Sequence, residues 1–238
     1  MNPACAAPLE ILPILVETST YVIVNKPYDL CINGEKELLE HGQTVASLLS
    51  LQRPDLVDNN VCSGFRFPHQ LDYATSGALC ITLNKKTTGK AVKLFKERKV
   101  KKEYLALVHG HVTDDIQIVK SMIGEDSSDA TKFLMTFNLT KCLNPKPGET
   151  RIEVLAQGYY NGKPTSKLAI QPITGRRHQI RLHCLKIGHP VVGDYTYSGK
   201  TDTKPYRMML HAWKLQIPLE HDPVDITTED PFCSLLED

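Results

Sequence analysis

His69-Gln70-Leu71-Asp72-Tyr73-Ala74-Thr75-Ser76-Gly77 is the stretch on which the reading of this chain turns. An aspartate with apolar flanks stands just before a turn of small residues, and the turn runs directly into the apolar segment Ala78-Leu79-Cys80-Ile81-Thr82-Leu83. Such a strand edge holds one carboxylate rigidly, as a catalytic acid or base requires. Taken alone, Asp72 reads equally well as a turn aspartate bonded to its own backbone, the common fate of Asp beside Thr, Ser and Gly. A second dense segment, Gly175-Arg176-Arg177-His178-Gln179-Ile180-Arg181-Leu182-His183, supplies cations able to pair with a carboxylate and with a polyanion.

Around these two segments the pattern predicts many short strands and few helices. Tyr21 to Pro27 reads as a strand stopped by its proline. Leu38 to Leu51 reads as a short amphipathic helix, and Lys85 to Arg98 as a second, with Ala91, Leu94 and Phe95 at helical spacing. Strands are expected over 101–108, 116–123, 133–139, 151–157, 166–171 and 208–217. A helix over His178 to Ile187 is closed by Gly188 and Pro190. The loop at Asn144-Pro145-Lys146-Pro147-Gly148 is the one candidate internal boundary, but strand-like patterns flank it on both sides. One domain over 14–217 is therefore expected, of α+β class, with an acidic tail at 218–238 that frays.

A chain of 238 residues with 41% hydrophobic and 23% charged residues is ordinary for a soluble globular protein. The formal net charge of +1 conceals strong asymmetry. Lys85 to Lys102 holds nine Lys or Arg against one Glu, whereas Leu219 to Asp238 holds seven Asp or Glu and no Lys or Arg. The basic run reads either as a solvated helix face or as a track for a nucleic-acid backbone. Seven scattered cysteines without a C-x-x-C pair point to reduced thiols inside the cell rather than to a disulfide framework or a zinc site. No secretory leader is expected, and nothing approaches the roughly 20 apolar residues that a membrane helix needs. The cluster His183, Cys184 and His189 lacks a second ligand pair, so no metal is expected.

Individually, the remaining candidates stay open. Tyr104, in Lys102-Glu103-Tyr104-Leu105-Ala106, is either a half-buried core aromatic or a ring placed to stack on a base. Arg181 shares a helix face with Arg177 and is either solvated surface charge or the partner of a buried carboxylate.

The longer context narrows these alternatives. H-x-L-D-x-x-T-S-G at His69 to Gly77 and G-R-x-H-Q-[IL]-R at Gly175 to Arg181 resemble the signatures of the RluA-type RNA pseudouridine synthases. Val24-Asn25-Lys26-Pro27 is similar to that family's V-N-K-P. Gly188 to Asp194 resembles its G-H-P-[IV]-x-G-D, and Leu210-His211-Ala212 its late L-H-A. The matches run in order over nearly the whole chain. The run G-F-R-F-x-H-Q-L-D at Gly64 to Asp72 is most similar to the animal branch, the RNA pseudouridine synthase domain-containing proteins.

The resemblance implies a pseudouridine-synthase-type α+β fold, a mixed and largely antiparallel sheet with packed helices, in a monomer that isomerises uridine in RNA. It implies Asp72 as the catalytic carboxylate, Tyr104 stacked on the extruded base, and Arg181 holding Asp72 ionised. Arg176, Arg177 and His178 are then phosphate contacts near a helix start, joined by Lys96, Lys99 and Lys101 of the basic run. Gln70 stands where the bacterial pattern has an arginine thought to fill the gap left by the flipped nucleotide. No cofactor and no metal is implied, RNA is the partner, and the compartment is the cytoplasm, the nucleus or both. The alternative is a catalytically silent RNA-binding module of the same fold. A glycoside hydrolase would need a second carboxylate in a comparable motif, and none is present.

Overall fold

Strands β2 (Tyr21–Lys26) and β3 (Ser76–Thr82) lie against each other antiparallel, from Tyr21 opposite Thr82 to Lys26 opposite Gly77. Both are buried on both faces, which explains why they read as continuous apolar runs rather than alternating ones. Val22, Val24, Leu79 and Ile81 point to one face and meet Val45, Leu48 and Leu49 of helix α1 (Val45–Gln52). Tyr21, Ile23, Ala78 and Cys80 point to the other and meet Ala91, Leu94 and Phe95 of helix α2 (Lys85–Lys96). The period of two along each strand thus sorts the side chains into two cores, one under each helix.

The computed structural model describes residues 11–34 and 43–238. Two compact units emerge: 1–101 with 212–229, and 102–211 with 230–238. The chain leaves the first unit at Lys101 and returns to it at Ala212.

The first unit carries the strand order β1-β2-β3-β9, where β1 is Ile14–Glu17 and β9 is Leu210–Ile217, counted here from Ala212. Thr44 caps α1 through a reciprocal pair of bonds with Ser47, so the helix begins after the point expected. The predicted start at Leu38 falls outside the described residues. Asn84 caps α2, its side chain accepting from the Thr87 amide at 2.8 Å. The segment expected to fray contributes β10 (Val224–Thr227), paired antiparallel with β9. Its acidic residues alternate outward while Leu219 and Val224 fill the core under α2.

The second unit has the order β4-β8-β7-β5-β6, with β4 Lys101–His109, β5 Ile116–Asp126, β6 Met135–Thr136, β7 Cys142–Tyr160 and β8 Lys163–Pro172. The Pro145–Gly148 segment, expected as a loop, lies inside β7, where Pro147 stands opposite Met122 and Gly148 opposite Ser121. A proline is tolerated there because a strand position that makes no ladder bond needs no N–H. The strand expected over 133–139 shrinks to two residues, since Thr136 and Asn138 turn their side-chain oxygens back onto the following amides. Helix α3 (Gln179–Lys186) packs on β5, β7 and β8, and Gly188 at φ 85° ends it. No helix among the described residues is long and apolar enough to cross a membrane.

Phe232 pins the end of the chain to this second unit. It is 1% exposed, edge-on to the His211 ring and beneath the Arg207 guanidinium. Phe232→Ala should therefore lower stability by about 3–4 kcal/mol, as truncation of a buried aromatic does. Equilibrium urea unfolding measures this directly, and a change within about 0.5 kcal/mol would mean a frayed tail after all.

Candidate active site

The turn carrying Asp72 is built from beneath by a buried cation. Lys26 is 0% exposed, and its ammonium donates to the carbonyls of Pro27 (2.9 Å), Leu30 (2.8 Å) and Tyr73 (2.9 Å). The Tyr73 carbonyl also accepts from the Leu30 amide, and the Asp72 carbonyl accepts from the Thr75 amide. Leu71 packs onto the core under α1. On the other side of the turn, His69 Nε2 accepts from the Cys80 amide at 3.0 Å, which leaves the proton of the neutral ring on Nδ1. The His69 ring stacks on Phe95 of α2, 4.9 Å between centroids.

Gly77 closes the turn at φ 114°, and a Cβ there would lie 2.2 Å from the Ala212 carbonyl oxygen. Only glycine fits both constraints. Asp72 itself is half-buried, while Gln70, two residues before it, points to solvent.

The second unit holds Tyr104 and Arg181. Tyr104 is a half-buried position of β4 opposite Ile170 of β8. Arg181, 5% exposed, makes a two-pronged bond to Asp194, from Nε to Oδ2 and from Nη2 to Oδ1, each 2.7 Å. Its guanidinium lies 4.8 Å from the centre of the Tyr197 ring, and Asp194 Oδ1 also accepts from the Tyr197 amide. The plane of the guanidinium is thereby fixed from two sides. Asp194 was not singled out in the sequence, although the G-D pair that ends the Gly188 to Asp194 motif marks it.

The loop before α3 is locked by Gln179. Its Oε1 accepts from the Arg176 amide and the Thr174 hydroxyl, and its Nε2 donates to the Glu149 carbonyl and to Thr150 Oγ1. His183 continues the network, with Nδ1 against Thr150 Oγ1 at 2.8 Å and Nε2 against Ser121 Oγ at 2.9 Å. The left-handed backbone at His178, φ 55°, then turns Arg177 outward. Arg177 is exposed and Arg176 half-buried. His178, expected among the phosphate contacts, is instead 6% exposed with Nδ1 2.7 Å from the Tyr197 hydroxyl, so its ring orders Tyr197.

In the basic run, Lys96, Lys99 and Lys101 are all exposed. Lys99 pairs with Glu97 at 2.8 Å, whereas Lys96 and Lys101 have no ion pair among the described residues. Asp72 therefore stands in the first unit with the run from Lys85 to Lys101, and Tyr104, Arg176, Arg177, His178 and Arg181 stand in the second. The described residues contain no group of three His, Cys, Asp or Glu side chains placed to share a metal ion, and their six cysteines are all free thiols. Cys5 lies outside the described residues.

Comparison with known proteins supplies an independent line. The family described as RNA pseudouridylate synthase matches residues 20–186. The RNA pseudouridylate synthase domain-containing protein 1 of Danio rerio is 47% identical over 238 residues, 100% of this chain and 80% of that protein. The dual-specificity RNA pseudouridine synthase RluA of Escherichia coli (strain K12) is 31% identical over 207 residues, 87% of this chain and 86% of the other. Among solved structures, human RNA pseudouridylate synthase domain containing 1 matches at a TM-score of 0.82 and 40% identity, over 95% of this chain and 86% of that one.

The buried network around His183 makes a pH prediction. Burial, reinforced by the Lys186 charge, lowers the His183 pKa from 6.5 to about 4. The unfolded chain thus takes up a proton near 6.5 that the folded chain refuses until about 4. Stability from this residue is complete above the unfolded value and is lost as pH falls through that window, on the order of 3 kcal/mol at most. Urea midpoints taken from pH 7 down to pH 4 should fall more steeply for the parent chain than for His183→Gln. Parallel slopes would mean that His183 is not the titrating group.

Proposed function

Since the chain belongs to the RNA pseudouridylate synthase family, we propose that it isomerises uridine to pseudouridine in RNA, with Asp72 as the catalytic carboxylate. The observation that carries this reading is the immobilised turn. A buried ammonium, a neutral histidine and an obligatory glycine all act on the backbone immediately around Asp72. Asp72 thus approaches a substrate with little orientation left to lose, which is what positioning catalysis requires.

The reaction breaks the bond from N1 of uracil to C1′ of the ribose and forms one from C5 to the same carbon. The proton on C5 is released and N1 regains one, so atoms and electrons balance without a redox partner. In this reading Arg181 serves Asp72, and the Asp194 clamp uses two of the five N–H donors of the guanidinium to aim the rest. Tyr104 stacks on the extruded base. Arg176, Arg177, Lys96, Lys99 and Lys101 hold phosphates, and His178 acts from behind by ordering Tyr197. Gln70, exposed and uncharged, faces the space that the flipped nucleotide leaves. The free thiols support a reducing compartment, the cytoplasm or the nucleus, and the protein acts as a monomer.

Asp72→Asn keeps the shape and removes the charge. On RNA carrying 5-tritiated uridine, tritium release should fall by roughly a thousandfold while thermal unfolding stays unchanged. Turnover near that of the parent would remove Asp72 from the chemistry. A parent chain that binds RNA and releases no tritium would instead favour the silent binding module.

Reversing the charges of Lys96, Lys99 and Lys101 should weaken binding across RNA sequences. It should also reduce the slope of log affinity against log salt by about one for each phosphate no longer held. An unchanged slope would make the run a solvated face.

A further inference from the structure

Between β5 and β7 the chain makes a hairpin, residues 127–141, whose backbone is tied down by its own acidic side chains. Asp126 Oδ1 accepts from the Ser128 amide and hydroxyl, and Asp129 accepts from the amides of Thr131 and Leu134 and from the Thr131 hydroxyl. The two carboxylates are turned onto the hairpin itself, and these bonds hold their pKa values below the usual carboxylate range. Phe133 emerges from this tied loop 52% exposed.

A single exposed phenylalanine is ordinary on a protein surface, but this one is held by a neighbouring ring and follows Lys132, whose carbonyl binds Arg177. Its ring sits edge-on to the His178 ring, 5.2 Å between centroids, and His178 is held by the Tyr197 hydroxyl. That hydroxyl also accepts from the Met135 amide, which binds the far side of the hairpin to the same post. Arg177 reaches across to donate from Nη2 to the Lys132 carbonyl, and the left-handed backbone at Lys132, φ 55°, marks the bend just before Phe133. An exposed, immobilised aromatic face beside Arg177 and Lys132 suits a ligand that carries both flat rings and negative charge.

We propose that Phe133 is a stacking platform for an unpaired base of the RNA substrate outside the reacting uridine, with Arg177 on the adjoining phosphate. The inference rests on the RNA-modifying reading above and adds to it a preference for substrates with a single-stranded nucleotide at this hairpin. Stacking on an aromatic side chain favours unpaired bases, because only they present a face. His178 and Tyr197 contribute by holding the ring at fixed height. The ordering cost is thus met in the free protein.

The test uses the full chain carrying Asp72→Asn, so that turnover does not enter. The probes are a fluorescently labelled uridine-containing RNA stem–loop and a fully paired duplex of the same stem. Phe133→Ala should weaken stem–loop binding about 5- to 100-fold, the range for removing one base–aromatic stack, and leave duplex binding and the salt slope unchanged. Phe133→Leu, which keeps an apolar side chain on His178 but has no ring, should lose as much. Phe133→Trp should bind at least as well as the parent, and its fluorescence should be quenched by the stem–loop alone. Arg177→Gln should lower the salt slope instead.

Stem–loop affinity equal to the parent's in Phe133→Leu overturns the stacking role, as does equal loss on both RNAs. In both cases the RNA-modifying reading stands as long as the parent binds. A parent chain that binds neither RNA overturns both readings together.

Discussion

A single desolvated ammonium underlies the first unit of this protein. Lys26 gives its three N–H bonds to three carbonyls drawn from two separate stretches of chain, residues 27–30 and Tyr73. A buried charge is costly unless every proton on it is used, and here the need for three acceptors dictates the path of the backbone. The stretch leaving β2 and the stretch leaving Asp72 must both bend toward the same point. His69 and Gly77 then settle the remaining freedom from the other side, one through the Cys80 amide and one through the close approach of Ala212.

The second unit reaches rigidity differently. Arg181 and Asp194 are both nearly inaccessible, and such a pair returns about what its desolvation costs. Its value lies in direction rather than in stability, because two parallel bonds and a ring face leave the guanidinium one orientation. Behind it, Gln179, Thr150, His183 and Ser121 form a continuous polar seam between α3 and the sheet. Thr150 and His183 inside that seam each have a partner on both sides, the condition under which a buried polar network specifies one packing instead of weakening it.

Much of this architecture was legible in the residues. The apolar runs of β2 and β3, the helical spacing of Ala91, Leu94 and Phe95, and the Gly188 stop after α3 all act locally, and local signals survive in a linear reading. What escaped depends on distant chain. Pro147 and Gly148 look like a loop until Met122 and Ser121 are placed opposite them. The last twenty residues look solvated until β9 and the His211 ring offer partners to Val224 and Phe232. In the site, the motifs pointed to Asp72, Tyr104 and Arg181 but not to what supports them. Lys26, His69 and Asp194 were inside quoted motifs, yet nothing in a string of letters says that a lysine is buried or which arginine an aspartate clamps. His178 reads as a phosphate contact beside Arg176 and Arg177, and nothing local says that its ring is buried against the Tyr197 hydroxyl.

The discontinuity of the first unit has a consequence for how the protein is made. Strands β2 and β3 leave a ribosome well before β9 and β10 of the same unit, which follow only after the long segment 102–211 of the second unit has been synthesised. Until then β3 waits with an apolar edge, and the backbone of Gly77 lacks the Ala212 strand it is shaped to meet. Long-range closure of this kind is slow, and incomplete strand edges are prone to aggregate. Nascent chains arrested before Ala212 should thus engage holdase chaperones through the very segment that later presents the carboxylate, so translation speed across the second unit becomes a determinant of yield.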